Sequence, residues 1–364
     1  MKNLSRYAIL KIENLFYKGD EIVKATIEDV AKHAGVSITT VSRVINNNYP
    51  VKDSTRKKVE QAIAALNFTP NSLARGLIHK KTYTIGVIVP SITNLFFPEV
   101  VKGIERTIRQ QAYTLFLCET KEQPDEERLH IQRLKERQVD GMIVIGPTVE
   151  NIKNGFLENV TTEMPLVLVN GYHRGIHCNF VLSDEEMGTV EALMYLLQLG
   201  HRDIAFLRGG HSYSYDLKQE IFVDIMKKHD IAIHAHNIIT IETGNSLATV
   251  DMALEAVKER MQQKNPPTAI FCCNDWMATG AINGAKQLGL AVPQDISVVG
   301  FDNIVISQIS EPKLTTVDQG MFKLGESAAK LLLEVIEDNG RKQGLKKVIL
   351  ETALIKRQSC VGKG

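Results

Sequence analysis

The stretch TIEDVAKHAGVSITTVSRVINNN, residues 26–48, decides how the rest of the chain is read. Ile27, Val30, Ala31 and Ala34 recur at helical spacing, so a first helix has one face to bury. Thr26 stands as its N-cap, with Asp29 three residues on in a capping-box position. Gly35 ends that helix, where a left-handed residue is least strained if it is glycine. Ser37 caps a second helix, whose Val41, Val44 and Ile45 face the first. Ile38, Thr39, Ser42, Arg43 and Asn46 remain on or near the outward face. Two short helices joined in this way form a helix-turn-helix, whose second helix lies in a DNA major groove with its front residues at base edges. Short side chains at that front let the backbone approach. Hydroxyls donate to phosphate or accept from bases, and Arg43 has the fork that pairs with guanine. The alternative reading of the same pattern is an ordinary helical hairpin with a polar surface.

Working outward, charge separates this segment from the rest. Between residues 24 and 81 there are ten cations against four acids, on a chain whose net charge is only +1. The body after residue 81 is correspondingly acidic, so only the small basic module suits a polyanion. With 364 residues the chain has room for two or three domains. No apolar run is long enough to span a bilayer, and the N-terminus has no convincing signal peptide. The five cysteines lack metal-type spacing, and their odd number in a chain without an export signal points to reduced, buried thiols in the cytoplasm.

Residues 54–66, STRKKVEQAIAAL, read as a third helix with Val59, Ile63 and Leu66 on one face. Arg56, Lys57 and Lys58 at its start oppose the usual preference for acids there, which phosphate contacts or a solvated cluster would explain. The string DVAKHAGVSITTVSRVINN, followed by VKDSTRKKVEQAIAALNFTPNSLARGL, closely resembles the LacI/GalR family of bacterial transcription regulators. The resemblance implies that Ile38, Thr39 and Arg43 read bases, and that Ser37, Thr40, Ser42 and Asn46 hold phosphates. It adds Asn71 as a DNA contact and makes residues 70–81 a hinge helix, paired across a dimer, with Leu77 wedged into the minor groove. Read by itself, that segment is too short to be a stable helix, which fits folding coupled to DNA binding; a flexible linker is the local alternative.

From Thr84 onward, apolar strand-like runs alternate with amphipathic helices. Such alternation means parallel sheets covered on both faces, with ligands at the C-terminal strand ends. The fold class is therefore α/β: a small all-α helix-turn-helix domain plus a two-lobed parallel-sheet core. The resemblance makes that core periplasmic-binding-protein-like. The expected divisions are an extension over 1–23, the DNA-binding domain over 24–69, the hinge over 70–81 and the core over 82–364. Within the core, one lobe takes about 82–182 and 312–340, the other about 183–311 and 341–364.

Carried over by position, the resemblance implies effector contacts at Asn94, Phe96, Phe97, Asn170, Phe271, Asn274, Asp302 and Gln319. Aromatic rings with amides and carboxylates suit a small polar metabolite, a sugar or sugar derivative. One departure concerns the arginine of an arginine, two residues, glycine, phenylalanine motif: here KQEIF places Lys218 there. Lysine lacks the planar bidentate fork, so the effector is expected to differ from common neutral sugars.

No nucleotide-binding, hydrolase or metalloprotease motif is found, so neither an enzyme nor a cofactor is expected. A transporter's extracytoplasmic sugar-binding protein would need an export signal and no helix-turn-helix. Residues 1–22 precede the usual start of such regulators and are read as an over-long start, with initiation at Val23; a disordered basic-and-apolar arm is the alternative. No heptad tail follows the final strand-like segment KKVILETALIKR, so a homodimer on double-stranded operator DNA is expected, without membrane contact.

Overall fold

The computed structural model describes residues 25–46, 49–68, 81–172, 175–210, 212–338 and 344–363. The extension over 1–23, Asn71 and Leu77 lie outside them, as does all of the expected hinge except residue 81. The chain divides into two compact units, Met1–Thr82 and Tyr83–Gly364.

The first unit holds α1 (Ile27–Ala34), α2 (Ile38–Asn46) and α3 (Asp53–Ala65). Thr26 accepts from the Asp29 amide at 3.2 Å, and Asp29 accepts from the Thr26 amide at 2.8 Å. This reciprocal pair satisfies two of the donors that every helix start leaves over. Gly35 follows at φ 66°, in the left-handed region. The core of the unit is small: Val30, Val41, Val44, Val59 and Ala62, with Ala31 beside them. Full burial of each valine contributes about 2 kcal/mol, so three short helices suffice only because their apolar faces converge. Helix α3 begins at Asp53, whose carboxylate puts one negative charge in a first turn otherwise crowded with cations.

The second unit contains two six-stranded sheets. The first is built from β1 (Thr84–Val89), β2 (Thr114–Glu119), β3 (Gly141–Ile145), β4 (Leu166–Val169), β5 (Asn179–Ser183) and β11 (Lys347–Leu350), in the order β11-β5-β4-β3-β1-β2. The second uses β6 (Ile204–Arg208), β7 (Ile238–Thr240), β8 (Ala269–Cys272), β9 (Ser297–Asp302), β10 (Thr315–Asp318) and β12 (Ala353–Ile355), in the order β12-β10-β9-β8-β6-β7. Neighbours run parallel except β10 and β12. Strands β1, β3, β4, β8 and β9 are buried along almost their whole length, as continuous apolar runs require.

Helices cover the sheets. In the first lobe α4 (Phe96–Arg109) packs on α13 (Met321–Glu337). Their contact runs through glycines: a Cβ on Gly325 would lie 2.0 Å from the Val100 carbonyl oxygen, and one on Gly103 2.1 Å from that of Phe322.

The lobe boundaries differ from those expected. Strand β10 belongs to the second sheet, so the chain re-enters the first lobe only after Asp318, not near residue 312. Strand β11 pairs with β5, so the final return follows Leu350, not residue 340. Both shifts have one cause. Each sheet takes strands from the distant C-terminal segment, and pairing rather than local sequence decides which lobe receives each one.

Candidate functional site

Two surfaces carry the candidate residues, one in each unit. On α2, the side chain of Ser37 accepts from the Thr40 amide at 3.2 Å and lies 2.9 Å from the Thr40 hydroxyl. Ser37 is therefore a cap, and its hydroxyl is partly committed to the helix start. Ile38 and Thr39 follow on the exposed face, Ile38 being 46% exposed. Ser42 is half-buried, and Asn46 is the last residue of α2. Arg43 is exposed, with its guanidinium 4.6 Å from the centroid of the Tyr49 ring. The opposite face of the helix holds Val41 and Val44 in the core. One apolar stripe thus fixes which side chains can reach a groove. Tyr49 carried no pattern that singled it out in the sequence.

In the second unit, loops at the C-terminal ends of strands from both sheets enclose a cavity of about 480 Å³. Of the expected effector residues, Asn94, Phe96, Phe97, Asn170, Lys218, Asn274, Asp302 and Gln319 line it. Phe271 does not. It is fully buried in the core of the second lobe, its ring 5.8 Å from Phe206 and 6.4 Å from Phe301. That expectation is corrected: Phe271 sits one position inside the end of β8, and the cavity edge falls instead to Cys273 and Asn274.

The lining residues differ in how far the protein already uses their polar atoms. Asn274 caps α11 (Asp275–Gln287) by accepting from Met277 and donates to the Gly244 carbonyl at 2.7 Å. Asn170, at φ 58°, accepts from the Ser183 amide at 3.0 Å. Both hold loops in place as well as lining the cavity. Phe96 and Phe97 meet edge to face at 5.3 Å and form an apolar wall. Asp302 is 5% exposed and sits at φ 112°, a conformation few side chains adopt. Its Oδ1 accepts from Gln319 Nε2 at 2.6 Å. Burial, and after it the neighbouring Asp275, push the Asp302 carboxyl well above the usual carboxylate range.

Lys218 is 1% exposed. Its ammonium donates to Glu185 Oε1 at 3.0 Å and to the Ser214 hydroxyl, and it lies 4.1 Å from the centroid of the Phe301 ring. Glu185 also accepts from the Ser214 hydroxyl at 2.6 Å. Sequence reasoning missed Glu185, which opens α8 (Glu185–Gln198) and there looks like an ordinary first-turn acid. It also missed Tyr215, Asn245 and Glu122, all of which line the cavity. Asn94 Nδ2 donates to Asn245 Oδ1 at 2.7 Å, and Asn245 donates to Glu122. Asn94 and Glu122 follow β1 and β2, while Asn245 follows β7, so these bonds tie the lobes across the cavity. Beside it Trp276, Ile304 and Ile306 of the second lobe pack into the core of the first.

Comparison with known proteins follows this division. The family described as bacterial regulatory proteins, lacI family, matches residues 26–71, and a periplasmic binding protein-like domain matches residues 193–360. The HTH-type transcriptional repressor PurR of Vibrio vulnificus (strain CMCP6) is 37% identical over 316 residues, covering 86% of this chain and 92% of that protein. Among solved structures, the lac repressor dimer bound to operator and the anti-inducer ONPF superposes with a TM-score of 0.82 at 28% identity, covering 93% of this chain and 100% of that one. A LacI family transcriptional regulator from Enterococcus faecium with bound ribose gives a TM-score of 0.66 at 28% identity, covering 77% and 100%.

Proposed function

The chain belongs to the lacI family of bacterial regulatory proteins and is a DNA-binding transcriptional repressor, not an enzyme; from that premise we propose that it acts in the cytoplasm as a homodimer on a near-palindromic operator, under the control of a small polar metabolite held between its two lobes. The observation that carries this reading is the cavity itself. It gathers the C-terminal strand ends of two sheets, the place where open parallel sheets take ligands, and lines them with aromatic walls and buried polar groups. A sugar or sugar derivative fits that lining, and ribose is the ligand named for the Enterococcus faecium regulator.

Each subunit presents α2 to one major-groove half-site, with Ile38, Thr39 and Arg43 toward bases and Ser37, Thr40, Ser42 and Asn46 toward phosphates. Two-fold pairing implies the near-palindrome. Exposed Phe116 and Leu117 on the edge strand β2, with Val305 and Ile309 in the second lobe, offer the apolar surface that pairing needs. Ligand binding changes the relation of the lobes, and differential affinity for the two arrangements alters DNA binding.

The test is a thermal-shift screen of sugars, sugar acids and nucleobases, followed by operator binding with and without the hit. Asp302→Ala is expected to keep operator binding and lose the response to the hit. An unaltered response curve would remove the cavity from the mechanism.

A further inference from the structure

Behind the lining of the cavity, one buried acid joins parts that face different ways. Asp275 is fully buried at the first turn of α11, between the cavity residue Asn274 and Trp276. Its Oδ2 accepts from the Ile304 amide at 2.9 Å, and its Oδ1 from the Thr316 hydroxyl at 2.5 Å. Gly300 makes room for it: a Cβ there would lie 2.3 Å from Asp275 Oδ1. The turn that Asp275 grips has a strained backbone. Asp302 and Asn303 stand in succession at φ 112° and 59°, conformations that persist only where the surroundings over-determine them. Arg357 holds the other side of the turn, donating to Asn303 Oδ1 at 2.6 Å and to the Ser307 hydroxyl at 3.2 Å.

One anchored piece thus reaches two places. Asp302, first in the turn, lines the cavity. Ile304, third in the turn, is buried in the core of the first lobe, and Trp276, next to Asp275, packs against the same core. Burial pushes both carboxyls up. The Thr316 and Ile304 donors oppose that push at Asp275, whereas the Asp275 charge adds to it at Asp302. The charge rests on the anchor, and the acid facing the cavity is the one nearer to neutral.

Resting on the reading of this cavity as the effector site, we propose that Asp275 is the positioning residue that couples the cavity to the contact between the lobes. Its carboxylate makes the turn Asp302–Ile304 move as one piece with the start of α11, so a ligand that displaces Asp302 also displaces Ile304 and Trp276 against the first lobe. Without that acceptor the buried Ile304 amide would be left unsatisfied in its present position. The turn would then relax, and Asp302 would move without its neighbours.

Trp276 is the only tryptophan in the chain, and its Nε1 is buried without a hydrogen-bond partner among the described residues, so tryptophan fluorescence reports on the lobe contact. The experiment uses the full chain and perturbs the cavity by Gln319→Leu, which removes the Nε2 donor to Asp302 Oδ1. Acrylamide quenching of Trp276 is expected to rise about twofold or more, as the contact opens part of the time. In the Asp275→Ala background quenching starts high and Gln319→Leu adds nothing, a non-additivity that a merely structural Asp275 would not produce. Asp275→Asn keeps an acceptor for the Ile304 amide and a partner for the Thr316 hydroxyl, and should keep the response to Gln319→Leu. Thr316→Val, of nearly the same shape, removes one of the two bonds to the carboxylate and should roughly halve the response; it carries the test if Asp275→Ala does not fold. A response of equal size in every background, no response in the wild-type background, or a loss in Asp275→Asn as complete as in Asp275→Ala overturns the proposal. None of these measurements needs a ligand. A metabolite screen that finds no binder therefore removes the effector reading alone, while Trp276 decides the coupling.

Discussion

At the scale of single residues, the two surfaces differ in how plainly the sequence marks them. Ile38, Thr39 and Arg43 are legible because α2 has only one apolar stripe, and whatever lies opposite Val41 and Val44 must face outward. Arg43 is the sharpest case. The Tyr49 ring at 4.6 Å restrains a long side chain on an otherwise exposed face, an interaction worth about 0.5–1 kcal/mol. Arg43→Ala is expected to remove about 1–3 kcal/mol of discrimination for its base and abolish specific operator binding, with the circular dichroism of the chain unchanged. Footprinting at moderate salt checks this; an unchanged footprint would sink the assignment. The cavity is legible in part. Asp302 and Gln319 stand at strand ends, and strand ends converge in this kind of fold. Phe271 was misplaced because a strand's last turnings look alike from sequence, and a single pleat separates core from cavity edge. Glu185 and Asn245 carry no local signal, since a first-turn acid and a loop amide usually face water. Only the pairing of strands far apart in sequence turns them inward.

At the scale of elements, the continuous apolar strands β1, β3, β4, β8 and β9 were readable because burial on both faces leaves polar residues only at their ends. The short strands β7, β10, β11 and β12, at or next to the sheet edges, were not. They have three or four residues each, too few for a period to show, and the lobe each one joins is set by hydrogen-bond partners. Helix contacts were equally silent. Gly103 and Gly325 look like two indifferent helix glycines, yet each gives room to a carbonyl oxygen of the other helix at close to 2 Å from where a Cβ would stand. Gly325→Ala has no flexible side chain to displace and must push α4 from α13. It should destabilise the core by about 1–3 kcal/mol despite alanine's better helix propensity, a loss read by urea unfolding. Stability equal to the wild type would mean that the crossing is looser than these distances indicate.

At the scale of the molecule, the two lobes of the core are joined by chain crossings after Ser183, Asp318 and Leu350 and by contacts across the cavity. The apolar contact of Trp276, Ile304 and Ile306 lies to one side. At the cavity the link is polar and narrow: Asn245 accepts from Asn94 and donates to Glu122. Two hydrogen bonds at a net ~1 kcal/mol each bias the closed arrangement by about 2 kcal/mol, a factor of roughly 30 in the closed population. That is the size of bias a small ligand can add to or oppose, whereas an apolar interface of full core depth would lock the lobes. Asn245→Ala removes both bonds and leaves the apolar contact intact. The expected result is a larger radius of gyration for the ligand-free core in solution scattering, with weaker apparent affinity for any ligand of the cavity, because less of the protein starts in the binding-competent arrangement. The two effects must move together. If affinity falls while scattering is unchanged, Asn245 is a ligand contact and the lobes are held elsewhere; if neither moves, the polar link contributes nothing to closure.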